Sequence, residues 1–230
     1  MFMKKLLLIL FISTGVAIGL HAQKTYVLGG ANIANITKDK DGNTDDRKSL
    51  VSFNAGIMGQ FGISKIVDIE TGLLFTGKGA KSESNFGNGD YIKTTFNPLY
   101  IELPLNLLVN FPLLSKNNKL FVHGGPYVAM GVAGKSKYES KIGILSSKSE
   151  SNIQFNNDNP TTAQQEDASY AKTKRFDYGL NFGGGIALKN FILKANYGLG
   201  LAKINSTETN NTADKKNKYR TLSLSVGIPF

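Results

Sequence analysis

The last ten residues restrict the fold most. Leu222, Leu224, Val226, Ile228 and Phe230 alternate with Thr221, Ser223, Ser225, Gly227 and Pro229. A period of two places the apolar set on one face of a strand and the small or polar set on the other. On a helix the same residues would scatter around the axis.

The pattern recurs along the chain. Residues 25–36, 51–61, 67–75, 99–111, 120–133, 176–186 and 191–201 each read as a strand, with mixed faces only in 25–36. With 221–230 this makes eight. Several run 10 to 14 residues, against about five or six in globular sheets. Tilted strands of roughly 9–11 residues are what cross a bilayer. The polar faces are rich in Gly, Asn and Ser, the small side chains a narrow lumen needs.

The connections sort by length. Long polar ones (37–48, 79–93, 135–174 and 203–219) alternate with short ones (62–66, 112–119 and 189–190). Every long connection therefore emerges at the same end, as in barrels with short periplasmic turns and long external loops. Phe61, Phe111, Phe191 and Phe230 fall on apolar faces at the short-turn end, and Phe75 and Phe176 near the other. Two such rings suit the two interfaces of a membrane. Together these features predict an all-β, eight-stranded antiparallel transmembrane up-and-down β-barrel.

The N-terminus reads as an export signal. Lys4 and Lys5 precede an apolar run from Leu6 to Leu20, and Gly19 and Ala22 place small residues before a cleavage point after Ala22. The expected division is a signal peptide over 1–22 and a barrel over 23–230. About 15 apolar residues fall short of the roughly 20 a spanning helix needs. Cleavage would lower the formal net charge from +10 by the two lysines, to +8. An exported basic chain seldom meets nucleic acid. Its expected partners are outer-membrane lipid, anionic lipopolysaccharide and the barrel-assembly machinery, with room for an unnamed envelope protein. The simpler reading of the lysines is that they solvate loops. There is no cysteine, hence no disulfide staple, and a closed barrel satisfies its backbone without one. The mean hydropathy of −0.15 is compatible with a barrel because only alternate residues face lipid.

Candidate site residues lie on the inward faces. Asp68, Glu70, Glu102, Asp177 and Lys194 are expected to point into the lumen, where a lone charge is costly. The expected arrangement is a polar network of Glu70, Glu102, His123, Asp177 and Lys194 that plugs the barrel, with Lys194 paired to Glu70 or Glu102. His123 is the only histidine of 23–230, and lumen packing is its simplest role. A hydrolase would need a serine and an acid beside it; Ser115 and Glu102 are merely near in sequence, and no G-x-S-x-G occurs. Asp39 to Asp46 looks like a calcium loop, but Gly42 arrives early and Leu50 stands where the bidentate glutamate belongs. Asn35-Ile36-Thr37 matches a glycosylation acceptor of little meaning in a bacterial exporter. No metal, cofactor or catalytic residue is assigned.

Tyr100-Ile101-Glu102-Leu103-Pro104-Leu105 resembles a strand of the PorT-like outer-membrane β-barrel family. Gly29-Gly30-Ala31-Asn32, Glu70 to Phe75 followed by Gly77-Lys78-Gly79, and Gly124-Gly125-Pro126-Tyr127 fit in the same order. The resemblance spans the mature chain and implies an eight-stranded outer-membrane barrel, not one activity. The terminal alternation ending in Phe230 looks like the signal read by the assembly machinery. Three functions follow as expectations: a non-enzymatic structural, surface-binding or secretion-accessory barrel; a lipid-modifying hydrolase using His123; and a soluble lipocalin-like carrier, which the sorted loops disfavour.

Overall fold

The computed structural model describes residues 24–37, 48–113, 118–155, 172–204 and 217–230. The expected signal peptide, the calcium-like stretch 39–46 and Ser115 lie outside these residues. The strands are β1 (Lys24–Thr37), β2 (Leu50–Gly62), β3 (Val67–Gly77), β4 (Ala80–Gly87), β5 (Asp90–Pro112) and β6 (Lys119–Ile142). They continue as β7 (Leu145–Asn152), β8 (Gln154–Phe155), β9 (Lys172–Thr173), β10 (Phe176–Ala187), β11 (Ile192–Gly200) and β12 (Lys218–Pro229).

Eight of these close on themselves. The order β5-β3-β2-β1-β12-β11-β10-β6 returns to its start because β5 also pairs with β6, and every contact in the ring is antiparallel. The seam between the ends of the chain is continuous, from Tyr26 opposite Pro229 to Thr37 opposite Lys218. Closure leaves no unpaired edge in the ring, which is the condition for strands in a bilayer.

Burial is inverted relative to a soluble domain. Outward Leu224 is 67% exposed and Val128 57%, whereas inward Glu70 is 0% and Lys194 4% exposed. The outward apolar residues need a lipid solvent; the inward polar ones need each other. Among the described residues no helix is long and apolar enough to cross a membrane.

Two stretches read from sequence as loops are strands. Residues 80–87 and 145–152 form β4 and β7, which flank the distal halves of β5 and β6 in a four-stranded blade continuing the barrel wall. Polar composition hid them, because a blade above the membrane has no apolar face to reveal its period. Ile142 to Leu145 is the blade's hairpin turn, with Gly143 in the left-handed region at φ 59°. At the base of the blade, β6 carries a bulge opposite Leu99 and Tyr100, whose partners are Ala133 and Gly131. A bulge adds one residue to one strand and inverts its alternation. Even positions of β6 point outward up to Val132, and odd positions do so from Ala133 onward.

The chain leaving the blade turns back over the barrel mouth. Ile153 and Phe155 pack on Ile36, Phe96, Tyr100, Tyr127 and Tyr219, and Phe155 meets the Tyr100 ring edge-on at 5.6 Å. A side chain on Gly131 would collide with Phe155, its Cβ falling 2.1 Å from the ring. A second apolar cluster of Tyr26, Met58, Leu108, Phe121 and Ile192 fills the short-turn end.

Candidate functional site

Between the two apolar clusters the lumen holds charge, organised around two hubs. Glu70 is the first. It is presented by β3 and paired with the ammonium of Lys194 from β11. Its oxygens also accept the Tyr26 hydroxyl at 2.6 Å, the Asn106 amide at 3.1 Å and the Gln60 amide at 3.2 Å. A buried carboxylate with one cation and three further donors is fully compensated, the condition for keeping a charge away from water.

Lys78 is the second hub. Its Nζ lies 2.8 Å from Glu102 on β5 and 2.8 Å from Asp177 on β10. The Tyr127 hydroxyl donates to Asp177 at 3.0 Å and the Asn181 amide to Glu102 at 3.2 Å. The ammonium also sits 4.1 Å from the centroid of the Tyr127 ring and 5.4 Å from that of Tyr100, a cation–π cage made stronger by burial. Lys78 is positioned by a turn glycine. Gly79 adopts φ +137°, and any Cβ there would lie 2.0 Å from the Phe96 carbonyl.

Smaller links complete the network. Asp68 accepts Lys119 at 3.2 Å and the Asn110 amide at 2.8 Å near the short-turn rim. Along β3, β2, β1 and β12 Asn32 donates to Thr76, Asn54 donates to Asn32, and Ser225 donates to Asn54. A cavity of about 40 Å³ remains between the hubs, lined by Lys78, Glu102, Asn106, Lys194 and Asn196 among others. Asn106 and Asn196 each turn a buried amide oxygen without a protein partner. A cavity of that size has room for water beside those two oxygens.

Of the residues singled out from sequence, Glu70 and Lys194 meet each other, while Glu102 and Asp177 meet on Lys78. His123 joins neither hub. Its ring is buried beside Phe121 at 6.2 Å between centroids, and neither nitrogen makes a well-formed hydrogen bond. Lys78 and Lys119 were missed. Lys78 continues the inward even positions of β3 (Asp68, Glu70, Thr76) by two residues, so extending the alternation past Gly77 would have found it. Among the described residues no group of three metal-ligating side chains occurs.

A family model described as an outer membrane protein beta-barrel domain matches residues 12–206. The chain belongs to that family. This outer-membrane barrel is similar in structure to Ail, the attachment invasion locus protein of Yersinia pestis, at 16% identity and a TM-score of 0.42, covering 90% of this chain and 98% of Ail. It is also similar to Neisserial surface protein A, at 13% identity and a TM-score of 0.42, with 90% and 97% of the two chains covered. The N-terminal β-barrel domain of Pseudomonas aeruginosa OprF aligns at 9% identity and a TM-score of 0.33, over 91% of this chain and all (100%) of that domain. No curated protein sequence matches the chain.

Glu83 and Glu150 on the blade are each held below the ordinary carboxylate range by lysine hydrogen bonds: Lys81 then Lys48 for the first, Lys135 then Lys137 for the second.

Proposed function

We propose that this outer-membrane barrel is a sealed, non-conducting and non-enzymatic anchor that presents the β4–β7 blade and the long connections for binding at the cell surface. One observation carries the reading. The lumen is spanned by two charge hubs, Lys194 held by Glu70 and Lys78 held by Glu102 and Asp177, with a cavity of about 40 Å³ between them. A conducting pore needs a continuous water path, and this interior spends its polar groups on one another. The expected PorT-like affiliation and a secretion-accessory role are narrower forms of the same reading. A hydrolase finds no support in the surroundings of His123, which lacks a bonded acid or hydroxyl.

Outer-membrane lipid and the assembly machinery are the proposed partners, with Phe230 as part of the assembly signal. Its side chain is 79% exposed and its N–H donates to Thr25 at 3.1 Å, so it rides on the outside of the seam. Single-channel recording in planar bilayers tests the sealed lumen. The wild type is expected to be silent, and Lys78→Ala combined with Lys194→Ala to open measurable conductance. A wild type that conducts like an open porin would overturn the proposal. Comparing boiled and unboiled samples on a gel checks that each preparation holds the folded barrel.

A further inference from the structure

The blade sorts its charges by face. One set of registered positions runs Lys81, Thr95, Lys137, Glu150 across β4, β5, β6 and β7; the next runs Glu83, Lys93, Glu139, Lys148. A third brings Lys141 beside Tyr91, and Lys135 stands opposite Asn97 and Asn152. With Lys48, bridged to Lys81, this face therefore carries seven lysines and three glutamates, a net charge of +4. The registers of the other face hold Thr94, Phe96, Ser136, Tyr138, Ser140 and their neighbours, with no lysine; Asp90, at the hairpin end, accepts the Gly143 N–H at 2.7 Å.

The charged face is the one that continues the lipid-facing wall. On β5 the outward residues Ile101 and Leu99 are followed at the same alternation by Asn97, Thr95, Lys93 and Tyr91. On β6 the bulge brings Lys135, Lys137 and Lys141 to that side; without it these odd positions would continue the inward series of Tyr127 and Ala129. Along β5 from Leu99, at about 3.3 Å per residue, the Lys135 and Lys137 registers stand nearest the apolar belt, and those of Lys93 and Lys141 lie farther up the blade. Had they served only to solvate two hairpins, both faces would carry them, since Tyr138 on the opposite face is also exposed.

The acids do not cancel them. Glu150 contacts both Lys135 and Lys137, and Glu83 contacts Lys48 at 3.3 Å and Lys81 at 3.1 Å. Each carboxylate fixes two ammonium groups and leaves one positive charge in excess. Lys93, Lys141 and Lys148 add to this against Glu139 alone. Preplaced ammonium groups beside an apolar surface are complementary to a lipid with acyl chains below and phosphate above.

We propose that this lysine face binds the anionic phosphate groups of outer-leaflet lipid, seating the blade against the membrane it rises from. The proposal rests on the barrel's place in the outer membrane and is independent of whether the lumen conducts. The test uses the full folded chain in phosphatidylcholine bilayer discs doped with phosphorylated lipid A, or with the same lipid after removal of its phosphates. Acetylation rates of individual lysines are read by mass spectrometry. Lys135 and Lys137, the lysines nearest the apolar belt, are expected to react several-fold more slowly in discs with the phosphorylated lipid, and Lys93 and Lys141 to change less. That protection should fade at about 1 M salt, where screening shortens to about 3 Å. Equal rates in the two discs would overturn the proposal, as would protection that survives removal of the phosphates. A Lys135→Gln, Lys137→Gln variant should retain several-fold less phosphorylated lipid A through purification. If it fails to fold, by the boiled and unboiled comparison, the wild-type labelling still decides.

Discussion

Lys194 reaches Glu70 across the full width of the lumen. Their strands, β11 and β3, are four places apart in a ring of eight, diametrically opposed. A lysine stem can bridge that gap because glycine, asparagine and serine leave the middle of the barrel empty enough to cross. The pair ties opposite walls together, in a way no backbone ladder between neighbours can.

This pairing predicts an asymmetric response to mutation. Glu70→Gln leaves the Lys194 ammonium buried without its counter-charge, and breaking one side of a buried pair costs about 3–5 kcal/mol. Replacing both residues, as Glu70→Gln with Lys194→Met, should recover most of that loss. Urea unfolding of the barrel from lipid vesicles measures both. Equal losses in the single and double variants would show that the pair acts through shape and not charge.

The second hub makes a related prediction at Gly79. Gly79→Val has no room beside the Phe96 carbonyl and an unfavourable φ of +137°. It should withdraw Lys78 from Glu102 and Asp177, with a cost comparable to Lys78→Met. The double variant should be little worse than either single change, because both remove the same interaction. Additive losses would separate the turn from the hub.

How much of this was legible in the sequence depends on where the physics writes a period. The eight barrel strands were readable because lipid on one side and a packed lumen on the other force strict alternation. The blade was not, since neither face is apolar along its length, and Ser147, Ser149 and Ser151 alternate with Lys148, Glu150 and Asn152. Inward charges such as Glu70 and Asp177 were visible from alternation alone. Their partners were not, because pairing across a lumen depends on ring order and stagger, and a local pattern contains neither. Lys78 lies past the point where the apolar signal of β3 ends.

The mouth of the barrel offers a test of the closing segment. Phe155 occupies the space above Gly131, and a Cβ there would overlap its ring. Gly131→Val should displace Phe155 and Ile153 from Tyr100 while leaving the membrane strands paired. Limited proteolysis of intact vesicles is expected to cut near residue 155 faster in the variant, with the boiled and unboiled bands unchanged. An unaltered cleavage rate would mean that the closing segment is held by Ile153 and Tyr219 without Phe155.

His123 is the last buried polar group whose role can be decided. Its ring is packed beside Phe121, and Gly183 lies against Nε2 so closely that a Cβ there would fall 2.6 Å away. A buried polar ring without made hydrogen bonds costs about 1–3 kcal/mol relative to a satisfied one. His123→Leu keeps most of the volume and removes that cost, so its unfolding midpoint should equal or exceed the wild type. Lipid A from cells carrying the variant should match wild-type lipid A by mass spectrometry. A loss of stability would show that His123 holds a bond to the Ala195 backbone or to water, while an altered lipid A would return the hydrolase reading to consideration. With both unchanged, His123 is packing, and binding is left to the blade and the long connections.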